Sequence, residues 1–291
     1  MSSVPTIPSS ASARGESNHD ASESTISSQL GGTCDGDKEM SRFETVLRLG
    51  LGMGWLTICS VFFATLLLLA MPSRLLRIKI ANHYGTWAGK GCAWFSGSSF
   101  QIRGLEHANR ERPAIYVSNH TSILDIFLGI WLSPVGTCGI GKKSVIYYPV
   151  FGQLYYLSGH LRLDRGNREK AIASLQGLAK YVQKNRLSVF IWPEGTRSRD
   201  GRLQPMKKGA FHLALSCGLP IVPMVVTGAH RGWTKNTLAL RRVPVEVEFV
   251  EPIDTSNWKL ETLEDHMEEV SQVFEAHLPE SQRRASLKKA A

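Results

Sequence analysis

The chain has 291 residues, 43% of them hydrophobic and 20% charged, so it can bury one sizeable core with segments to spare, and its formal net charge is +9. Residues 1–40 hold two basic side chains (Arg14, Lys38) against six acidic ones (Glu16, Asp20, Glu23, Asp35, Asp37, Glu39), which leaves a basic body suited to anionic partners such as a membrane surface or a phosphorylated substrate. The five cysteines (Cys34, Cys59, Cys92, Cys138, Cys217) are scattered without a CxxC, which argues against a disulfide framework or a zinc site and for a reducing compartment.

Residues 1–40, rich in Ser, Thr, Gly and acidic groups, cannot offset the entropy of ordering and are expected to form a disordered tail. A secretory signal is not expected, because the apolar run starts late and no basic segment opens the chain. From Leu49 to Met71 no residue is charged, and at helical rise this run covers about 34 Å, enough for a hydrocarbon layer of about 30 Å. It reads as a membrane helix. Arg74, Arg77 and Lys79 then alternate with apolar residues and are followed by Trp87, Trp94 and Phe95. This pattern predicts an interfacial helix over 73–96, its bases reaching headgroups. Residues 41–97 thus form a membrane-anchoring segment, and the denser positive charge after the span places the body on the cytoplasmic side.

From 98 to 279 strand-like and helix-like runs alternate. Strands are expected at Phe100–Arg103, Ala114–Ser118, Thr137–Gly141, His160–Leu163, Leu187–Trp192, Ile221–Thr227 and Val245–Val250. Helices are expected at Ile123–Leu132, Val150–Leu157, Glu169–Lys184, Gly209–Cys217 and Leu260–His277. The fold class is α/β, a mostly parallel sheet flanked by helices and preceded by the membrane and interfacial helices, with loops gathered at one sheet edge. Residues 280–291, with Arg283, Arg284, Lys288 and Lys289, read as a solvated basic tail.

Within this frame, Asn119-His120-Thr121-Ser122-Ile123-Leu124-Asp125 ends a buried strand with a histidine and sets a carboxylate five residues on. On a continuous helix these side chains would diverge by about 140°, so they meet only if the chain turns between them. A ring nitrogen held by Asp125 would leave the other free to act as a base, whereas a capped loop histidine is the plain alternative. Trp192-Pro193-Glu194-Gly195-Thr196-Arg197 follows another strand, where Pro and Gly halt the ladder. A guanidinium at that loop suits a phosphate, unless Glu194 and Arg197 simply pair at the surface. Lys142 and Lys143, and Asp164-Arg165, add charge at further strand ends. Leu219-Pro220-Ile221-Val222-Pro223 enters its strand under two prolines and reads as a substrate wall. Gly136–Lys142 has P-loop spacing, but Lys143 stands where Ser or Thr would hold a metal, and no metal site is expected.

Together these blocks resemble the glycerolipid acyltransferase family, with NHTSILD, GHLRLDRGNR, FIWPEGTRS and LPIVP in order, over residues 100 to 255. Gly141-Lys142-Lys143 followed by Tyr148-Pro149-Val150-Phe151-Gly152 looks most like the bacterial-type 1-acyl-sn-glycerol-3-phosphate acyltransferases, although Arg162 departs from the apolar or small residue usual there. The resemblance implies that His120 deprotonates the 2-hydroxyl of lysophosphatidate while Asp125 steers the ring. It further implies that Arg197, Arg165 and Lys142 or Lys143 grip the phosphate, within a set that includes Gly195 and Thr196, and that Glu194 positions Arg197. Backbone N–H groups near Gly195, or a lysine, would hold the oxyanion. The donor would be acyl-CoA or acyl-carrier protein as a substrate, with no resident cofactor and no nucleic acid. Another acceptor (glycerol 3-phosphate, a lysophospholipid or lyso-ornithine lipid) and a membrane lipid-binding protein without turnover are the competing readings.

Overall fold

A computed structural model describes residues 37–285 apart from 111, 165 and 234–237. The expectations for residues 1–36 and 286–291, and for Arg165, lie outside the described residues. A short strand β1 (Lys38–Glu39) precedes helices α1 (Arg42–Leu69) and α2 (Arg74–Phe95). Then come β2 (Ser99–Arg103), α3 (Leu105–Arg110), β3 (Ile115–Ser118), α4 (Leu124–Leu132), β4 (Thr137–Lys142), a 3-10 turn (Lys143–Tyr147), α5 (Phe151–Leu157) and β5 (Leu161–Leu163). The chain continues through α6 (Arg168–Asn185), β6 (Ser188–Ile191), α7 (Lys208–Cys217), β7 (Ile221–Thr227), α8 (Ala229–Gly232), β8 (Arg241–Arg242), β9 (Pro244–Phe249) and α9 (Leu263–His277).

The seven-stranded sheet has the order β2-β9-β7-β3-β6-β4-β5, with β7-β9 its antiparallel pair and the other neighbours parallel. The central strands β3 (IYVS) and β6 (SVFI) are buried at every position, which is why they read as continuous apolar runs rather than alternating ones. Their side chains still divide by pleat. Ile115, Val117, Val189, Ile191 and Ile221 join one core with α6, α7 and α9, whereas Tyr116, Phe190 and Val222 join the other with α4.

Helix α1 starts at Arg42, upstream of the charge-free run, because Ser41 accepts the Glu44 N–H (3.1 Å) and Glu44 pairs with Arg48 (2.7 Å). It is long and apolar enough to cross a membrane. It also folds back on α2: Trp55 Nε1 donates to the Trp87 carbonyl (3.1 Å), and the Ser60 and Tyr84 hydroxyls meet at 3.0 Å. The opposite side of α2 is docked on α4. A Cβ at Gly85 or Gly89 would stand 2.6 Å from the Ile130 or Phe127 carbonyl oxygen, so glycine is what permits this approach. Asn82 adds hydrogen bonds to the Gly136 and Thr137 N–H groups (2.8 and 3.1 Å) at the start of β4.

Two interfacial assignments change accordingly. Arg74 donates to the Gly159 carbonyl (2.9 Å) and lies over Tyr181, and Arg77 donates to the Leu157 carbonyl (2.7 Å), so these bases dock α2 on the body instead of reaching for headgroups. Lys79, Trp87 and Trp94 remain outward, as do Ile58, Val61 and Phe62 of α1. The inner ends of both expected tails belong to the fold. Residues Lys38–Glu39 pair with β8, with Asp37–Arg231 (2.6 Å) and Glu39–Arg241 (2.8 Å) ion pairs, because the acidic stretch meets a basic edge. At the other end Gln282 is buried, its side-chain oxygen accepting the Gly228 N–H (2.9 Å) and its carbonyl the Leu203 N–H (2.8 Å). Arg284 pairs with Glu268 and Glu275 at 2.7 and 2.6 Å, so residues 280–284 belong to the body and not to a solvated tail.

Candidate active site

His120 and Asp125 meet across the turn between β3 and α4. Asp125 lies in the first turn of α4 with its side chain fully buried, and its Oδ2 accepts three donors: His120 Nδ1 (3.2 Å), Thr121 N–H (2.5 Å) and Ser122 N–H (2.7 Å). The carboxylate therefore shapes the loop that carries the histidine as well as the ring itself. With Nδ1 donating to Asp125, His120 Nε2 is the nitrogen left to accept a proton. The ring is further fixed by stacking on Trp192, with centroids 4.8 Å apart and planes 24° from parallel.

The second loop locks onto the first through main-chain atoms. Glu194 Oε1 accepts the His120 N–H (2.6 Å) and Oε2 accepts the Gln204 N–H (3.0 Å), while the Ser198 N–H donates to the His120 carbonyl (2.8 Å). Burial pushes the Glu194 carboxyl up to about 8, with the two backbone N–H groups pulling it back and the Asp125 charge adding to the rise. Glu194 therefore neither pairs with Arg197 at the surface nor reaches it to position it, and it does not line the cavity described below; it is an inward strut that holds the backbone of His120.

The positive side chains fall into two groups. Arg197 and Lys142 line the cavity described below, and neither makes a hydrogen bond or ion pair among the described residues. Lys143, by contrast, is turned to Asp164 (3.4 Å) and does not line the cavity. Gly195 and Thr196 do line it, but the Gly195 N–H donates to the Trp192 carbonyl (3.0 Å) and is therefore spent on the turn rather than offered to an oxyanion. Leu219–Pro223 form no wall of this cavity. Ile221 and Val222 are fully buried on opposite faces of the sheet, Leu219 packs against the first core, and Pro223 sits in β7 beside Val117. Two prolines bordering an apolar run gave the same sequence signal that a central strand gives.

The cavity holds about 350 Å³, within the range of roughly 300–1,000 Å³ common for ligand sites. His120, Trp192 and Arg197 stand on it, and its apolar lining comes from α2 (Tyr84), α4 (Ile130), α5 (Phe151, Leu154) and the strands β4 (Ile140) and β6 (Phe190). His160 also lines it. Burial and the nearby Arg74 charge push that imidazole down to about 4, and its Nδ1 accepts the Gly139 N–H (3.2 Å), so it contributes a neutral wall. Helix α2 therefore belongs to the site, a role that its surface-helix pattern did not reveal. Trp192 as a ring support and Gln204 and Ser198 as backbone partners were likewise invisible before the loops were placed.

Residues 99–227 match the family described as Acyltransferase. The 1-acyl-sn-glycerol-3-phosphate acyltransferase of Cocos nucifera is 42% identical over 249 residues, covering 86% of this chain and 80% of the relative. The enzyme of that name from Escherichia coli (strain K12) is 35% identical over 198 residues, covering 67% of this chain and 79% of the relative. The crystal structure of the 1-acyl-sn-glycerophosphate acyltransferase from Thermotoga maritima superposes with a TM-score of 0.66 at 23% identity, over 81% of this chain and 95% of that one, and so shares the fold. With four fifths of a relative covered at 42% identity, the chain belongs to the family of the 1-acyl-sn-glycerol-3-phosphate acyltransferases.

Proposed function

We infer that the protein transfers a fatty acyl group from an acyl thioester to the 2-hydroxyl of lysophosphatidate, giving phosphatidate for phospholipid synthesis. The observation that carries this reading is the shared cavity, on which an oriented imidazole, an unpaired guanidinium and an apolar wall all stand. His120 Nε2 takes the hydroxyl proton as that oxygen attacks the thioester carbonyl. The new C–O bond forms, the C–S bond breaks, and the proton passes from the imidazolium to the leaving sulfur. Asp125 holds the ring and stabilises its charged form. Arg197, with Lys142, receives the phosphate and so orients the hydroxyl toward His120. The fatty chain suits the apolar part of the cavity.

The donor is read as acyl-CoA or acyl-carrier protein, and the basic body would suit either acidic donor. The outward apolar face of α1, next to Trp87 and Trp94 of α2, is read as immersed in lipid beside the body. The catalytic body is read as cytoplasmic, a reading supported by exposed Lys79 and by the free state of the described cysteines. The test is an acceptor panel with purified protein, a labelled acyl-CoA and a labelled acyl-carrier protein. Lysophosphatidate should be consumed in preference to glycerol 3-phosphate and to other lysolipids; preference for any of those would replace the assigned acceptor.

A further inference from the structure

One more cation stands on the phosphate loop, between the FIWPEGTRS and LPIVP blocks from which the site was read. Lys207 immediately precedes α7, and its backbone N–H donates to the Pro193 carbonyl (2.9 Å), which ties the start of that helix to the Trp192–Arg197 turn. From there its side chain crosses Gly195. A Cβ on Gly195 would stand 3.0 Å from Lys207 Nζ and 3.2–3.3 Å from its Cδ and Cε. Gly195 also has φ +72°, so the backbone conformation and the lysine stem above it both require a residue without a side chain.

The ammonium held there has no ion pair or hydrogen bond among the described residues, and Lys207 is exposed. Glu194, on the same turn, is directed inward to the His120 and Gln204 N–H groups. The adjacent Lys208 behaves differently, since its Nζ reaches Glu264 of α9 at 2.5 Å. Two neighbouring lysines thus have opposite fates, one neutralised on a helix and one left bare over the backbone of a loop whose Gly195, Thr196 and Arg197 line the cavity.

We propose that Lys207 is a ligand of the acceptor's phosphate, acting beside Arg197. The guanidinium offers a flat fork to two oxygens, and the ammonium a compact charge to a third. The inference rests on lysophosphatidate being the acceptor. Full-length wild type, Lys207→Ala, Lys207→Arg and Lys208→Ala are to be compared with one labelled acyl-CoA and varied lysophosphatidate, with thermal midpoints recorded alongside. Loss of a charge-assisted hydrogen bond should raise KM for lysophosphatidate about tenfold or more in Lys207→Ala while kcat stays within a few-fold. Lys207→Arg should recover most of that loss, Lys208→Ala should leave KM unchanged, and the midpoints should agree. An unchanged KM in Lys207→Ala, or an equal rise in Lys208→Ala, overturns the role given to Lys207. A wild type that does not acylate lysophosphatidate overturns the assigned reaction instead.

Discussion

His120 and Arg197 stand on the same cavity, yet one is tied at every point and the other is left bare. The backbone of His120 is held by Glu194 on one side and Ser198 on the other, its ring by Asp125 and Trp192. The side chains of Arg197 and Lys142 carry no hydrogen-bond or ion-pair partner among the described residues. The difference is the one that the proposed roles require. A base has to present one nitrogen at a fixed distance and angle from a hydroxyl, so misplacement is costly. A cation that captures a phosphate must stay unpaired, since an internal carboxylate would compete with the ligand for it.

Removing the base tests this contrast most severely. His120→Ala should lower kcat by about 10²- to 10⁴-fold with little change in thermal midpoint, read by steady-state kinetics and calorimetry. Asp125→Ala should lose activity on that scale and also stability. It strands two buried N–H donors, each worth about 1–3 kcal/mol, so a variant with an unchanged midpoint would show that Asp125 does not shape the loop. On the bare side the pattern should reverse. Arg197→Ala should raise KM for lysophosphatidate about tenfold or more with the fold intact, whereas Lys143→Ala, whose partner is Asp164, should leave KM in place.

A smaller effect sharpens the clamped side through pH. The Glu194 carboxyl is pushed by burial from its ordinary 4.5 to about 8. Between those values the folded state keeps a proton that the unfolded chain has released, so this contribution to stability is complete below 4.5 and is lost as pH rises through 8. The thermal midpoint should accordingly fall between pH 5 and 8, and Glu194→Gln should flatten that slope; an equally steep slope in the variant would assign it to another group. The mildest change concerns neither side of the site. Val61→Glu with Phe62→Glu on the outer face of α1 should weaken sedimentation with lipid vesicles while leaving activity in detergent within a few-fold.

Much of the fold was legible because its signals are local. The strand Ile221–Thr227 has the bounds its apolar run predicts, and α6 begins within one residue of the expected start, where Asn167 accepts the Lys170 N–H (2.9 Å). The β3–α4 turn followed from the requirement that His120 and Asp125 could meet only off a continuous helix. Partnership was harder to read. Nothing in the local sequence distinguishes a Glu194 that pairs with Arg197 from one that reaches the backbone of a residue 74 positions earlier. Lys142 and Lys143 are identical neighbours, but the strand stops at the first and the 3-10 turn starts at the second, and one lines the cavity while the other pairs with Asp164.

By itself, then, the sequence determined the seven sheet strands and the longer helices, their alternation and the order of the blocks, because these depend on residue periodicity, turn residues and the chain's own direction, whereas β1, α3, α8 and β8 carried no such signal. Tertiary structure decided which polar groups were consumed internally and which stayed free. It put Ile221 and Val222 into the core, turned Arg74 and Arg77 onto the body, and made α2 a wall of the site. Those outcomes depend on contacts between distant segments, where a buried charge or donor takes whichever partner the packing brings within reach.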